Sequence, residues 1–117
     1  MIDLQTLRES YAEELRAVAN LQSEAVVKAF AKVPREHFLG PGPWQVRSPV
    51  FDGYWTTNDA DPRRLYHNLL VAIDASRRLN NGHPSLLAFL IDALDLQTGQ
   101  HVVHVGCGTG YLYGNHG

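Results

Sequence analysis

A chain of 117 residues with 44% hydrophobic content has material for one small core, and its net charge of −2 supplies no basic field to hold nucleic acid. The single cysteine, Cys107, excludes an internal disulfide and fits a reducing compartment. The longest apolar run, Leu86 to Ile91, is far short of a membrane span, and the first residues carry neither a basic nor an apolar leader, so the expected location is cytoplasmic.

Leu4, Leu7, Tyr11, Leu15 and Val18 recur at helical spacing behind Asp3, a capping residue. Arg8, Glu9, Glu13, Glu14 and Arg16 fall mostly on the opposite face and read as its solvated side. Ser23 is placed to cap a second helix that carries Val26, Val27, Phe30 and Val33. Pro34 ends that helix and starts a further turn through Phe38. Gly40-Pro41-Gly42-Pro43 then interrupts any regular element, and no clean period follows until about Asp61. Trp44, Phe51, Tyr54 and Trp55 lie in this irregular stretch, where packing against the body is the expected role of large aromatics.

Asp61-Pro62 predicts a capped helical turn through about Tyr66. The apolar run Leu69 to Ile73 predicts a strand, and Asn80-Asn81-Gly82 a turn. Pro84 opens a helix with Leu86, Leu87, Leu90, Ile91 and Leu94 on one stripe, closed by Thr98-Gly99.

The run from His101 to Tyr111 is the most informative. Val102, Val103 and Val105 predict a short strand buried on both faces, and Gly106, Gly108 and Gly110 follow at once. A strand that runs into a glycine turn lets a ligand lie against bare backbone at the carboxyl end of a sheet. The spacing is G-x-G-x-G. A dinucleotide fingerprint would need glycine where Tyr111 stands, and a phosphate-binding P-loop would need a lysine, of which there is none after residue 32. Cys107 sits between two glycines with no neighbour to activate a thiol. His101 and His104 face opposite sides of such a strand, and the other histidines are scattered, so no metal site is expected. Ser85 has no identifiable base, and no catalytic side chain is assigned.

Three segments precede or include the glycines in a fixed order: Val33-Pro34-Arg35-Glu36-His37-Phe38, Asn81-Gly82-His83-Pro84-Ser85-Leu86, and Val105 to Tyr111. Together they resemble the N-terminal half of the protein-L-isoaspartate O-methyltransferase family, class I enzymes that use S-adenosylmethionine (SAM). The resemblance implies an α/β fold, with N-terminal helices followed by the start of a Rossmann-like SAM-methyltransferase sheet that stops after its first strand. It divides the chain into a helical region (1–40), an irregular segment with a short strand (41–82), and the first helix, strand and glycine turn of a SAM-binding domain (83–117).

It further implies SAM as cofactor, held by Val105, Gly106, Cys107, Gly108, Gly110 and His83, and a protein or peptide carboxylate as acceptor, with neither nucleic acid nor membrane as partner. The departures are specific. The family loop reads Thr-x-Ser-Gln-Pro, and with the prolines matched Asn80 replaces its Thr, Gly82 its Ser and His83 its Gln. His104 stands where the family usually has an acid. These changes point to a divergent or incomplete member. The alternative reading is a non-catalytic interaction module that keeps the helices without a working cofactor site.

Overall fold

The computed structural model describes residues 3–50, 53–77, 79–105, 109 and 111. Helix α1 spans Leu4–Ala19, and the Asp3 carboxylate starts it by accepting the Thr6 N–H at 2.8 Å. It ends at Asn20, whose left-handed φ of 52° turns the chain into helix α2, Glu24–Lys32. Ser23 caps α2 through the Val26 N–H, as its sequence position predicts. A second cap comes from far along the chain. The Asp92 carboxylate, on helix α3 (Pro84–Ala93), accepts the backbone N–H groups of Gln22 and Ser23 at 3.1 and 2.8 Å. An anion at the positive end of α2 satisfies orphan donors and fixes α3 against α2.

The three helices share one core, made of Tyr11, Ala12, Leu15, Leu21, Val27, Phe30, Ala88 and Ile91 with Tyr66 and Tyr111. Val18 stays 61% exposed although it shares the period of the α1 stripe. The predicted stripe of α3 is buried only in part. Ala88 and Ile91 are buried and Leu87 packs beside them, whereas Leu86, Leu90 and Leu94 are half exposed or more. A helix apolar on nearly every side leaves the choice of face to its neighbours, and close approach to α1 favours the side bearing small Ala88.

The stretch that the sequence leaves irregular carries two strands. Strands β1 (Gln45–Arg47), β2 (Trp55–Thr56), β3 (Leu70–Asp74) and β4 (Leu79–Asn80) form an antiparallel sheet in the order β2-β1-β3-β4. Val46 lies opposite both Trp55 and Val71, and an irregular register between Ala72 and Asp74 bends the β3–β4 pair. Strands of two or three residues are too short for alternation to register, which is why β1, β2 and β4 escape a sequence reading. Trp44, Val46, Leu65 and Val71 form a second small core under this sheet. Trp44 is buried and its indole N–H donates to the Gly40 carbonyl. Trp55, by contrast, is 48% exposed, and Phe51 lies outside the described residues. Gly42 has no space for a side chain: a Cβ there would meet the Ala60 backbone at 2.8 Å and the Trp44 ring at 2.9 Å.

The fold is thus mixed α/β, with helices and a small antiparallel sheet. The expected strand over residues 101–105 does not form. Val103 and Val105 are 86% and 90% exposed, and no described strand runs beside them. A strand buried on both faces requires hydrogen-bonded neighbours, and among the described residues the four strands pair only with one another.

Arg35 joins the two cores. The Pro34 break and a 3-10 turn at Arg35–Phe38 aim its side chain inward, where it is 1% exposed. Its guanidinium donates to the carbonyls of Leu65 (2.7 Å), His67 (3.2 Å) and Leu69 (2.5 Å), and lies 5.9 and 5.8 Å from the ring centroids of Tyr11 and Tyr111. A planar fork suits three carbonyls on one curved segment, which a lysine cannot match. Arg35→Met should therefore lower stability by about 2–4 kcal/mol, since it strands buried carbonyl oxygens. Arg35→Lys should recover less than half of that loss. Urea unfolding with an unchanged m-value is the measurement.

Candidate functional site

The loop ahead of α3 is built by its own side chains. The Asn80 side-chain oxygen accepts the Gly82 N–H at 2.9 Å, and its amide donates to the Tyr54 hydroxyl at 3.0 Å. The Asn81 N–H donates to the Val71 carbonyl, which ties the loop to β3. Gly82 then turns with φ of +94°, and a Cβ at that position would press on the Leu87 side chain. The turn predicted over residues 80–82 is present, and it needs glycine at the place of the family serine.

His83 caps α3 without a side-chain bond to the helix backbone. Its Nε2 instead lies 2.9 Å from the Ser85 Oγ. The Asn68 amide donates to the same Oγ at 2.9 Å, and the Ser85 N–H donates back to the Asn68 oxygen at 3.0 Å. Ser85 therefore has two side-chain partners, contrary to the sequence reading. The neighbour at i−2 was the available signal for His83, whereas Asn68 is reached only through the fold. Ser85 is 7% exposed, and its reciprocal pair with Asn68 secures the start of α3. Its hydroxyl holds the loop between Asn68 and His83.

Of the six residues expected to hold cofactor, Val105 and His83 are described, whereas Gly106, Cys107, Gly108 and Gly110 lie outside the described residues. Val105 borders an apolar groove of about 210 Å³ along Leu90 and Leu94 of α3. His83 stands at the opposite end of that helix, against Ser85. A larger cavity of about 510 Å³ lies elsewhere, between the start of α2, the end of α3 and residues 96–102. Among the described residues no cluster of histidine, cysteine and carboxylate groups is placed to hold a metal ion, and no helix is long and apolar enough to cross a membrane.

Two residues of the glycine stretch, neither singled out as a ligand by the sequence, connect it to the rest. The Thr109 hydroxyl donates to the Asn81 side-chain oxygen at 2.9 Å. Tyr111 is 2% exposed in the helical core, edge-on to Phe30 and Phe38, with its hydroxyl 3.2 Å from that of Tyr11. An aromatic residue directly after three glycines was the visible sign of that anchor. Beside the Thr109 bond, the Asn81 Nδ2 is buried and has no partner among the described residues. A polar ligand at the glycine stretch would meet a donor there, so the residues present fit a group as rich in oxygen acceptors as SAM.

Burial pushes the Tyr11 and Tyr111 phenols up from their ordinary value near 10, with the nearby Arg35 charge opposing the shift in both. Tyr66 is raised as well, by burial and by the hydrogen bond it donates to Glu36. Unfolded tyrosine ionises before these do, so the stability that the neutral phenols contribute is whole below pH 10 and is lost as pH rises above it. The urea midpoint should stay level to about pH 9 and fall beyond about pH 10, less steeply in Tyr111→Phe. Gly82→Ser should cost about 1–2 kcal/mol through its positive φ, while Gly40→Ser, in open space, should change stability by less than about 0.5 kcal/mol. Thermal unfolding of the two variants compares them directly.

Residues 57–114 match the family model described as Protein-L-isoaspartate(D-aspartate) O-methyltransferase (PCMT). The chain is also 30% identical, over 107 residues, to Protein-L-isoaspartate O-methyltransferase 2 of Anaeromyxobacter sp. (strain Fw109-5). That alignment takes in 92% of this chain and 36% of the relative, so the chain spans about a third of that protein's length. No solved structure matches the chain significantly. The family match takes in both the loop ahead of α3 and the glycine stretch, and with the aligned relative it makes this chain similar to the protein-L-isoaspartate O-methyltransferase family, whose members are SAM-dependent methyltransferases.

Proposed function

We propose that this chain serves methyl transfer from SAM to a carboxylate on a protein or peptide, as a divergent member of its family. The observation that carries the reading is the Thr109–Asn81 hydrogen bond, because it joins the two segments that the family resemblance assigns to cofactor and acceptor. When bound, SAM supplies a methyl group on a sulfonium, which is its own leaving group. A carboxylate acceptor is already nucleophilic near neutral pH, so the chain needs no general base. Its residues have to align acceptor and methyl and to exclude water.

In this reading Val105, Gly106, Cys107, Gly108 and Gly110 hold the cofactor along backbone that carries few side chains, and His83 faces it from the loop. The three-part division at residues 40 and 82 and a cytoplasmic location belong to the same proposal. Asn80 and Gly82 lack the hydroxyls of the family loop, and Asn80 is already engaged with Tyr54 and Gly82. Isoaspartyl peptides should accordingly be poor acceptors.

Ultraviolet cross-linking of radiolabelled SAM, mapped by peptide mass, tests the cofactor half. Label should fall within residues 101–111 and be displaced by S-adenosylhomocysteine. Calorimetric titration should give a dissociation constant weaker than about 1 μM, that is, less favourable than about −8 kcal/mol. Absence of displaceable label would overturn the reading.

A further inference from the structure

We infer that the outward side of helix α3 is a self-association face, on which a second copy of this chain docks its own α3 in an antiparallel, two-fold pair. The inference is independent of the cofactor reading. Leu86, Phe89, Leu90, Ala93 and Leu94 are all exposed, the four large ones between 48% and 62%. They fall at i, i+3, i+4, i+7 and i+8, so they form one stripe along one side of the helix. The helix therefore has two apolar sides. Ala88 and Ile91 enter the core, and the second stripe faces outward. Residues 84–94 hold one charge, Asp92, whose carboxylate is turned to the backbone of Gln22 and Ser23. No charge interrupts the outward stripe. Leu90 and Leu94 also border the groove of about 210 Å³, and across it Val103 and Val105, 86% and 90% exposed, extend the apolar surface.

The stripe is complementary to itself. With a two-fold axis at Leu90, antiparallel helices set Leu86 of one copy against Leu94 of the other, and bulky Phe89 beside small Ala93. The charges at the ends agree with this direction. The chain leaves α3 through Asp95, an exposed carboxylate. Antiparallel pairing brings it to the positive N-terminal end of α3 in the other copy, whereas parallel pairing would oppose one Asp95 to another. A net charge of −2 adds little repulsion between copies. The stripe and the two valines carry on the order of 500 Å² of apolar surface per copy, so a pair buries about 1,000 Å², where specific interfaces begin. The association is therefore of the weak, reversible kind.

Analytical ultracentrifugation of the whole chain tests this. Sedimentation should follow a monomer–dimer equilibrium with a dissociation constant of about 1–100 μM and no larger species. Leu90→Glu, which puts two carboxylates at the axis, should weaken it about tenfold or more. Val18→Glu, the same kind of change at a residue 61% exposed on α1, should leave it within about twofold. The register has its own test. Leu86→Lys and Leu94→Glu should each weaken self-association about tenfold. An equimolar mixture of the two should form a dimer within about threefold of the wild-type constant, because the introduced lysine of one chain meets the introduced glutamate of the other. Parallel pairing gives no such recovery, and recovery also requires that both variants are folded.

A chain that sediments as a monomer up to about 500 μM would overturn the inference and leave the stripe to a different partner. So would open-ended association without a dimer, a dimer indifferent to Leu90→Glu, or equal weakening by Val18→Glu. A mixture as weak as its separate parts would overturn the antiparallel pairing.

Discussion

A buried cation held by backbone carbonyls organises this molecule. Arg35 spends its charge on three carbonyl oxygens of residues 65–69 and on the faces of two tyrosines. Those carbonyls belong to a segment that leaves a 3-10 turn at Pro62–Leu65 and enters strand β3. In such a bend the backbone groups have no ladder to join, and a buried carbonyl without a donor is costly. The arginine fork supplies those donors at one point. Glu36 and Tyr66 add to the junction, since Tyr66 donates to the Glu36 carboxylate and accepts from the Arg35 N–H. The Pro-Arg-Glu stretch thus acts as a joint between the helices and the sheet.

The same joint reaches the glycine stretch. Tyr111 sits against Arg35, Phe30, Phe38 and Tyr11, so the end of the glycine run is held by the core that Arg35 completes. Thr109 is held separately by the loop ahead of α3. A glycine-rich segment has little packing of its own, and its conformation depends on what anchors its flanks. Here one anchor is apolar and buried, and the other is a single polar contact open to solvent.

Helix α3 is apolar beyond what its described neighbours cover. Ala88 and Ile91 face the core, Asp92 caps α2, and Leu86, Phe89, Leu90 and Leu94 remain about half exposed or more, with Leu90 and Leu94 beside Val103 and Val105. Leu90 and Leu94 border the groove that residues 102–105 line from the other side.

Elements whose signal is local were legible from the residues alone. Asp3 and Ser23 cap helices because a side-chain oxygen reaches an N–H two or three residues on, and the apolar period of α1 names Tyr11 and Leu15 as buried. Asp61-Pro62 opens a helical turn, Leu70–Asp74 is a strand close to the apolar run, and the ordered motifs pointed to the family. Other features depend on partners distant in sequence, and no window of residues contains them. The short strands β1, β2 and β4 exist because they pair with β3 or with one another. Which face α3 buries depends on how closely α1 can approach. Val102 to Val105 carries a strong strand signal and yet forms none, because a strand is completed by its neighbours and those residues have none beside them among the described strands. The roles of Arg35, Asn68, Asn81 and Tyr111 were decided in the same way, by contacts spanning 17 to 100 residues of chain that only folding brings together.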